Sequence, residues 1–178
     1  MVSKLFRSLK YATTVCKHKL YMAVGAVKVG GVSFRAVLFH DLSKFSLSEF
    51  GPYRDKFVPA EQPNSDSVDW HFKLAWEHHY GNNRHHWQYW WYGDQDMISP
   101  MPEQYVREMV ADWIAAGMAY ETDKPFLKRM DILPWVSNNL PKMKLHDTTK
   151  SLVIRILLEM GYSYKDLFDA MQDHLHNP

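Results

Sequence analysis

Cysteine is nearly missing from this chain. Cys16 is the only one in 178 residues, so no disulfide can form within it, and a reducing, cytoplasmic compartment is expected. An excess of charge of either sign is missing too. Lys plus Arg number 21 and Asp plus Glu 20, a formal net charge of +1, so nothing indicates a whole-molecule electrostatic grip on nucleic acid. No apolar run approaches the roughly 20 residues that cross a bilayer. The longest, Tyr21 to Val32, is broken by Lys28 and three glycines, so no membrane partner is expected. Met1 to Lys10 lacks the continuous apolar core and small-residue cleavage site of a signal peptide. Internal repeats and low-complexity segments are absent, and strand-like alternation is scarce. Hydrophobic residues at 46% and charged residues at 23% exclude an intrinsically disordered chain.

Helical periodicity is what remains, and it predicts an all-α fold: one domain over 1–178, a bundle of six or more helices. A first helix is expected over about residues 4 to 24. Leu5, Leu9, Ala12, Cys16 and Leu20 form one stripe at helical spacing, read as buried, and Tyr11, Val15, His18 and Met22 form a second inward line. Gly30 and Gly31 end this region. A second helix is expected after Ser33, carrying Phe34, Val37, Leu38 and the pair His40-Asp41. Residues 59–67 form a polar loop. Ser67 or Asp69 then caps a third helix to about Tyr80, with Phe72, Trp76 and His79 on one face. Gly81-Asn82-Asn83 stops it. Pro100, Pro102 and Glu103 open a long helix with the stripe Val106, Met109, Val110, Trp113, Ile114 and Gly117. Two last helices are expected at about 147–160 and 163–176, the second with Met171 and Leu175 on its inner stripe. Met97, Met101, Met109 and Met118 read as core filler.

Ten histidines are the unusual count. His18, His40-Asp41, His78-His79, His85-His86 and Asp112 fall on or beside apolar helices. Burying imidazole or carboxylate without a partner costs several kcal/mol. A divalent cation partners both types at once, and nitrogen with carboxylate oxygen suits Mn, Fe, Co, Ni or Zn, with Mg as a harder alternative. Ligands on separate helices can meet in a bundle core. The bland readings stay open beside this one. His18 could be a core histidine with one hydrogen bond. His40-Asp41 could cap a helix end. Asp112 could pair with Arg107 or Arg35.

The order His18, then His40-Asp41, then Asp112 within VADWIAAG resembles the signature of the HD-domain superfamily of metal-dependent phosphohydrolases. The segments HDLSKFSLSEF, HHYGNNRHHWQYW and EMVADWIAAG also resemble an uncharacterised bacterial and phage family related to HD proteins, over about residues 15 to 160. The resemblance implies an HD-like helical bundle holding one or two ions. The implied ligands are His18, His40, Asp41, His79, His86 and Asp112, with His78 and His85 as further ligands or supports. Some nucleotidases of that superfamily place a glutamate soon after the pair. Here Ser43, Lys44 and Ser46 stand there, and the first acid is Glu49.

The chemistry this predicts is hydrolysis of a small phosphorylated compound, such as a nucleotide, by a metal-activated water. Lys44, Arg84 and Arg35 are candidates to hold phosphate. Trp87 and the aromatics after it are candidates to stack a base, against the commoner role of packing, and an exposed cluster of them could serve a homo-oligomer interface. Two rival functions stay open: a di-iron oxygenase using four histidines and two aspartates, and a non-catalytic, metal-stapled binding protein. His71, His146, His174 and His176 are expected to carry no function.

Overall fold

Serine and asparagine caps and glycine stops set the helices of this chain. The computed structural model describes residues 3–61, 64–93, 97–120 and 123–168. Helix α1 (Lys4–Val29) starts where Ser3 accepts a hydrogen bond from Phe6 N and ends at Gly30, whose φ is +70°. Helix α2 (Phe34–Phe39) is capped by Ser33. A 3₁₀ turn (Leu42–Phe45) leads into α3 (Leu47–Phe57). Asn64 caps α4 (Ser65–Asn82), so the cap lies three residues before the earlier of the two expected caps, Ser67. A second 3₁₀ turn (Trp87–Trp90) and a two-residue ribbon follow. In the ribbon β1 (Trp91–Tyr92) pairs antiparallel with β2 (Met97–Ile98). Then come α5 (Glu103–Tyr120), α6 (Leu133–Asn139) and α7 (Asp147–Glu159). A last helix opens at 164, and the described residues follow it to 168. Its expected continuation to 176, with Met171, Leu175, His174 and His176, lies outside them. The fold is all-α apart from the ribbon. No described helix is long and apolar enough to cross a membrane.

Helices α1 and α5 pack along one another. A side-chain carbon added at Gly25 would overlap the carbonyl oxygen of Ala111, so only glycine allows this approach. The inward line of α1 is Arg7, Tyr11, Val15, His18, Met22, Ala26 and Val29. The stripe of Leu5, Leu9 and Leu20 is a correction: these leucines are 70%, 59% and 70% exposed. Both lines repeat at helical spacing, but they lie on opposite sides of one cylinder and only one can face α5. Met97 is likewise exposed on the ribbon, whereas Met101, Met109 and Met118 are buried.

Two apolar clusters result. The larger joins Met22 of α1 to α5, α6 and α7 through Met109, Ile114, Val136, Ile156 and Leu157. The smaller joins Tyr11 and Val15 to Tyr53 of α3 and Ala75 of α4. His18 stands on α1 between Val15 and Met22, where the two clusters meet.

Candidate metal centre

Four separate segments send polar side chains to that junction. Helix α1 brings His18, the turn after α2 brings His40 and Asp41, the end of α4 and the turn after it bring His79, His85 and His86, and α5 brings Asp112. The expectation that α2 carries His40-Asp41 is corrected, because the helix ends at Phe39. Asp41 has φ +53°, the one positive φ among described non-glycine residues. Such a backbone costs an ordinary residue about 1–3 kcal/mol and persists where the surroundings impose it. It also solves a geometric problem. Neighbours on a regular helix diverge by about 100°, whereas the left-handed turn lets His40 and Asp41 point at one centre.

The two oxygens of Asp41 face two groups of ligand-capable atoms. On the Oδ2 side lie His18 Nε2 at 3.5 Å and His40 Nε2 at 3.6 Å. Asp112 Oδ1 is 3.0 Å from the first of these nitrogens and 3.1 Å from the second. On the Oδ1 side lie His79 Nε2 at 3.3 Å and His85 Nε2 at 3.4 Å, with His86 in the same group. Within each group every offered atom is within 4.8 Å of the others.

Nε2 of His79, His85 and His86 and Oδ1 of Asp41 are buried with ionic contacts of 3.3 Å or longer and no well-formed hydrogen bond, while Asp41 Oδ2 also meets Lys44 Nζ at 2.6 Å. Native interiors rarely tolerate such groups unless an ion or water completes them. Nitrogen and oxygen atoms each about 2.1 Å from one ion and at right angles around it stand about 3 Å apart, close to the separations above. The donor set therefore fits a transition-metal ion, and the buried groups could hold one.

Two glutamates orient the imidazoles. Glu108 Oε1 accepts from His40 Nδ1 at 3.1 Å and lies 3.3 Å from His85 Nδ1. Glu49, fully buried, accepts from His79 Nδ1 at 2.8 Å and from His78 Nδ1 at 2.7 Å. Donation at Nδ1 turns Nε2 of His40, His79 and His85 toward the aspartates as the ligand atom, an arrangement common around bound metals. Ser43 supports Glu49 at 3.1 Å, and Asn83 donates to Ser43 at 2.9 Å.

The acid–base balance follows from this crowding. Burial alone would raise the carboxyl of Asp41. The charges of His40 and Lys44 and bonding to His18 and His79 outweigh it and hold Asp41 well below the carboxylate range. Burial also opposes ionised Asp112, and His18 and His40 overcome it. Glu108 falls to about 2, since its two imidazole partners outweigh its burial. Burial disfavours charge on His18, His79 and His85, yet the adjacent carboxylates raise all three, His85 to about 10. His86 is held well below the imidazole range by burial and by the charges of His85 and His79. Acids held ionised beside imidazoles that gain protons form a site that can exchange those protons for a cation.

The remaining expected residues divide. His78 lies outside both groups, with its side chain 42% exposed, and serves Glu49. Both His85 and His86 join the Oδ1 group. Lys44 sits 2.6 Å from Asp41 Oδ2 and is held charged: burial lowers its pKa, but the carboxylates raise it further. Arg35 and Arg84 line a cleft of about 800 Å³ whose lining also includes the buried residues His40, His85 and Glu108. Trp87 is half-buried against the larger core and Lys44 is turned to Asp41, and neither lines this cleft. Sequence reasoning missed Glu108 and the orienting role of Glu49. Glu108 is four residues before Asp112, on the same line of α5, which is the signal that could have found it.

A family described as a family of unknown function (DUF5662) matches residues 7–159, and the chain belongs to it. No curated protein and no solved structure matches the chain.

Proposed function

We propose that this member of a family of unknown function is a metal-dependent phosphohydrolase of HD type, acting on a small phosphorylated compound. The observation that carries the reading is the pair of histidine-rich groups sharing Asp41. His18, His40 and Asp112 would hold one divalent ion with Asp41 Oδ2, and His79, His85 and His86 would hold a second with Oδ1. Mn, Fe, Co, Ni and Zn all suit this donor set. When bound, such ions bring the pKa of a coordinated water down to about 7 and polarise a phosphoryl oxygen.

The chain's own residues do the rest. Glu108 and Glu49 keep the imidazoles in the tautomer that presents Nε2. The apolar clusters on both sides exclude bulk water and strengthen every charge inside. Lys44 balances the charge of Asp41 from the edge of the site. The water's hydroxyl becomes bonded to phosphorus as the P–O bond to the leaving group breaks, and the water's other proton ends on the leaving oxygen.

The test is release of phosphate from p-nitrophenyl phosphate and from a panel of phosphoesters and nucleotides, with added Mn, Co, Ni or Mg. Turnover that disappears in His40→Ala and Asp41→Asn supports the reading, and turnover that survives both overturns it. The di-iron oxygenase is the second reading, favoured by the three imidazoles beside Asp41 Oδ1. Iron content together with oxygen consumption would select it.

A further inference from the structure

The cleft whose lining includes His40, His85 and Glu108 has a chemistry of its own. Arg35, the second residue of α2, is exposed and makes no hydrogen bond or ion pair among the described residues. Arg84 is exposed but has partners. Its guanidinium lies 5.6 Å from the ring of Tyr89 and 6.0 Å from that of Tyr105, and donates to Tyr105 Oη at 3.3 Å. Trp90 Nε1 ties down the carbonyl of Arg84 at 2.8 Å. One guanidinium therefore has ring partners and one has none, at the same cleft. A guanidinium fork suits a phosphate or a carboxylate.

The rest of the lining is polar and poor in free ring faces. Asn82 and Asn83 donate their amides back to the carbonyls of His78 and His79, which leaves their side-chain oxygens as acceptors. Gln104 has no hydrogen bond among the described residues. Among the described residues no tryptophan lines the cleft, and Tyr105 already faces Arg84, so Phe39 is the one lining benzene ring without such a neighbour. Acceptors and amides suit hydroxyl groups better than a stacked base. At about 800 Å³ the cleft is in the range of small-molecule sites.

We infer that this cleft is the substrate site of the metal centre. It selects a small polyhydroxylated compound with two anionic groups, of which the one away from the metal is held by Arg35 and Arg84. The inference rests on the phosphohydrolase reading for the group at the metal end and on the cleft alone for the other.

The test measures binding as well as turnover. Calorimetry on the manganese-loaded chain compares a hexose 1,6-bisphosphate, the corresponding hexose 6-phosphate and a nucleoside diphosphate. The bisphosphate should bind at least about tenfold more tightly than the other two, since one charged hydrogen-bonded contact is worth that much. Arg35→Ala and Arg84→Ala should each erase the advantage over the monophosphate, while circular dichroism and metal content confirm an intact fold. Equal affinity for the two hexose compounds, or an advantage that survives both variants, overturns the inference. Tighter binding of the nucleoside diphosphate overturns the polyhydroxylated body. Arginine-dependent binding without phosphate release from any probe leaves the subsite standing and removes the hydrolase. Phosphate release from p-nitrophenyl phosphate without arginine-dependent binding does the reverse.

Discussion

The two sides of α5 obey opposite rules. On one side Val106, Met109, Val110 and Ile114 pack into the larger core and need nothing further. On the other, Glu108 and Asp112 face imidazoles, and every charge depends on a partner from another segment. The apolar side is held by burial, which is non-directional and insensitive to pH. The polar side is held by geometry: a left-handed residue, two orienting glutamates, and imidazole nitrogens turned toward one carboxylate. One helix thus carries both the stability of the fold and the chemistry of the site, and the two should be separable.

Ile156→Ala tests the apolar side. Ile156 is fully buried on α7, and its truncation should cost about 2–5 kcal/mol. Denaturant unfolding should show that loss, while metal content per chain stays that of the wild type. A loss of metal would mean that the two sides are coupled.

Gly25→Ala strikes both sides at once. The added carbon would force α1 away from the backbone of α5, costing about 1–3 kcal/mol as overpacking. His18 and Asp112 ride on these two helices and stand 3.0 Å apart. Stability and metal affinity should fall together, as read by thermal melting and by equilibrium dialysis against zinc.

Glu108→Gln tests the polar side alone. It should weaken metal binding by about 10–100-fold, the usual cost of losing an orienting partner, measured by competition with a chromophoric chelator. The melting temperature of the metal-free protein should fall as well, since Gln cannot replace the charge that His40 and His85 stabilise on Glu108.

The smallest effect concerns the ion pair that ties α1 to α3. Arg7 holds Asp55, and Arg54 holds it from the same helix. Burial would raise the Asp55 carboxyl, but the two guanidiniums outweigh it and lower it. A lowered folded-state pKa gives stability that is present above the unfolded value of about 3.9. It is lost as pH falls through the folded value. Melting temperature should therefore drop less steeply below about pH 4 in Asp55→Asn than in the wild type. Parallel curves would remove this pair from the account.

The parts legible in sequence are those where a residue type contradicts its surroundings. His18 on an apolar line, the adjacent His40-Asp41 and Asp112 in VADWIAAG all stand out because burial of such groups needs a reason. The long helices were legible from period and caps. Helix α3 was not, since Gly51-Pro52 reads as a break. The inward face of α1 was ambiguous because it has two apolar lines of equal spacing, and only the position of α5 decides between them. Glu49 and Glu108 were hidden by the usual rule that glutamate on a helix faces water. Their burial is visible only once α4 and the turn after α2 close over them.

Whether Asp41 is shared by two bound ions is decided by elemental analysis of chain purified without chelator, in the wild type and in Asp41→Asn, a substitution that tolerates the left-handed backbone. About two transition-metal ions per wild-type chain are expected, one for each of the two donor groups that share Asp41, and less than half of that content in the variant. Wild-type protein at background metal, or a variant that keeps its full content, would contradict this sharing.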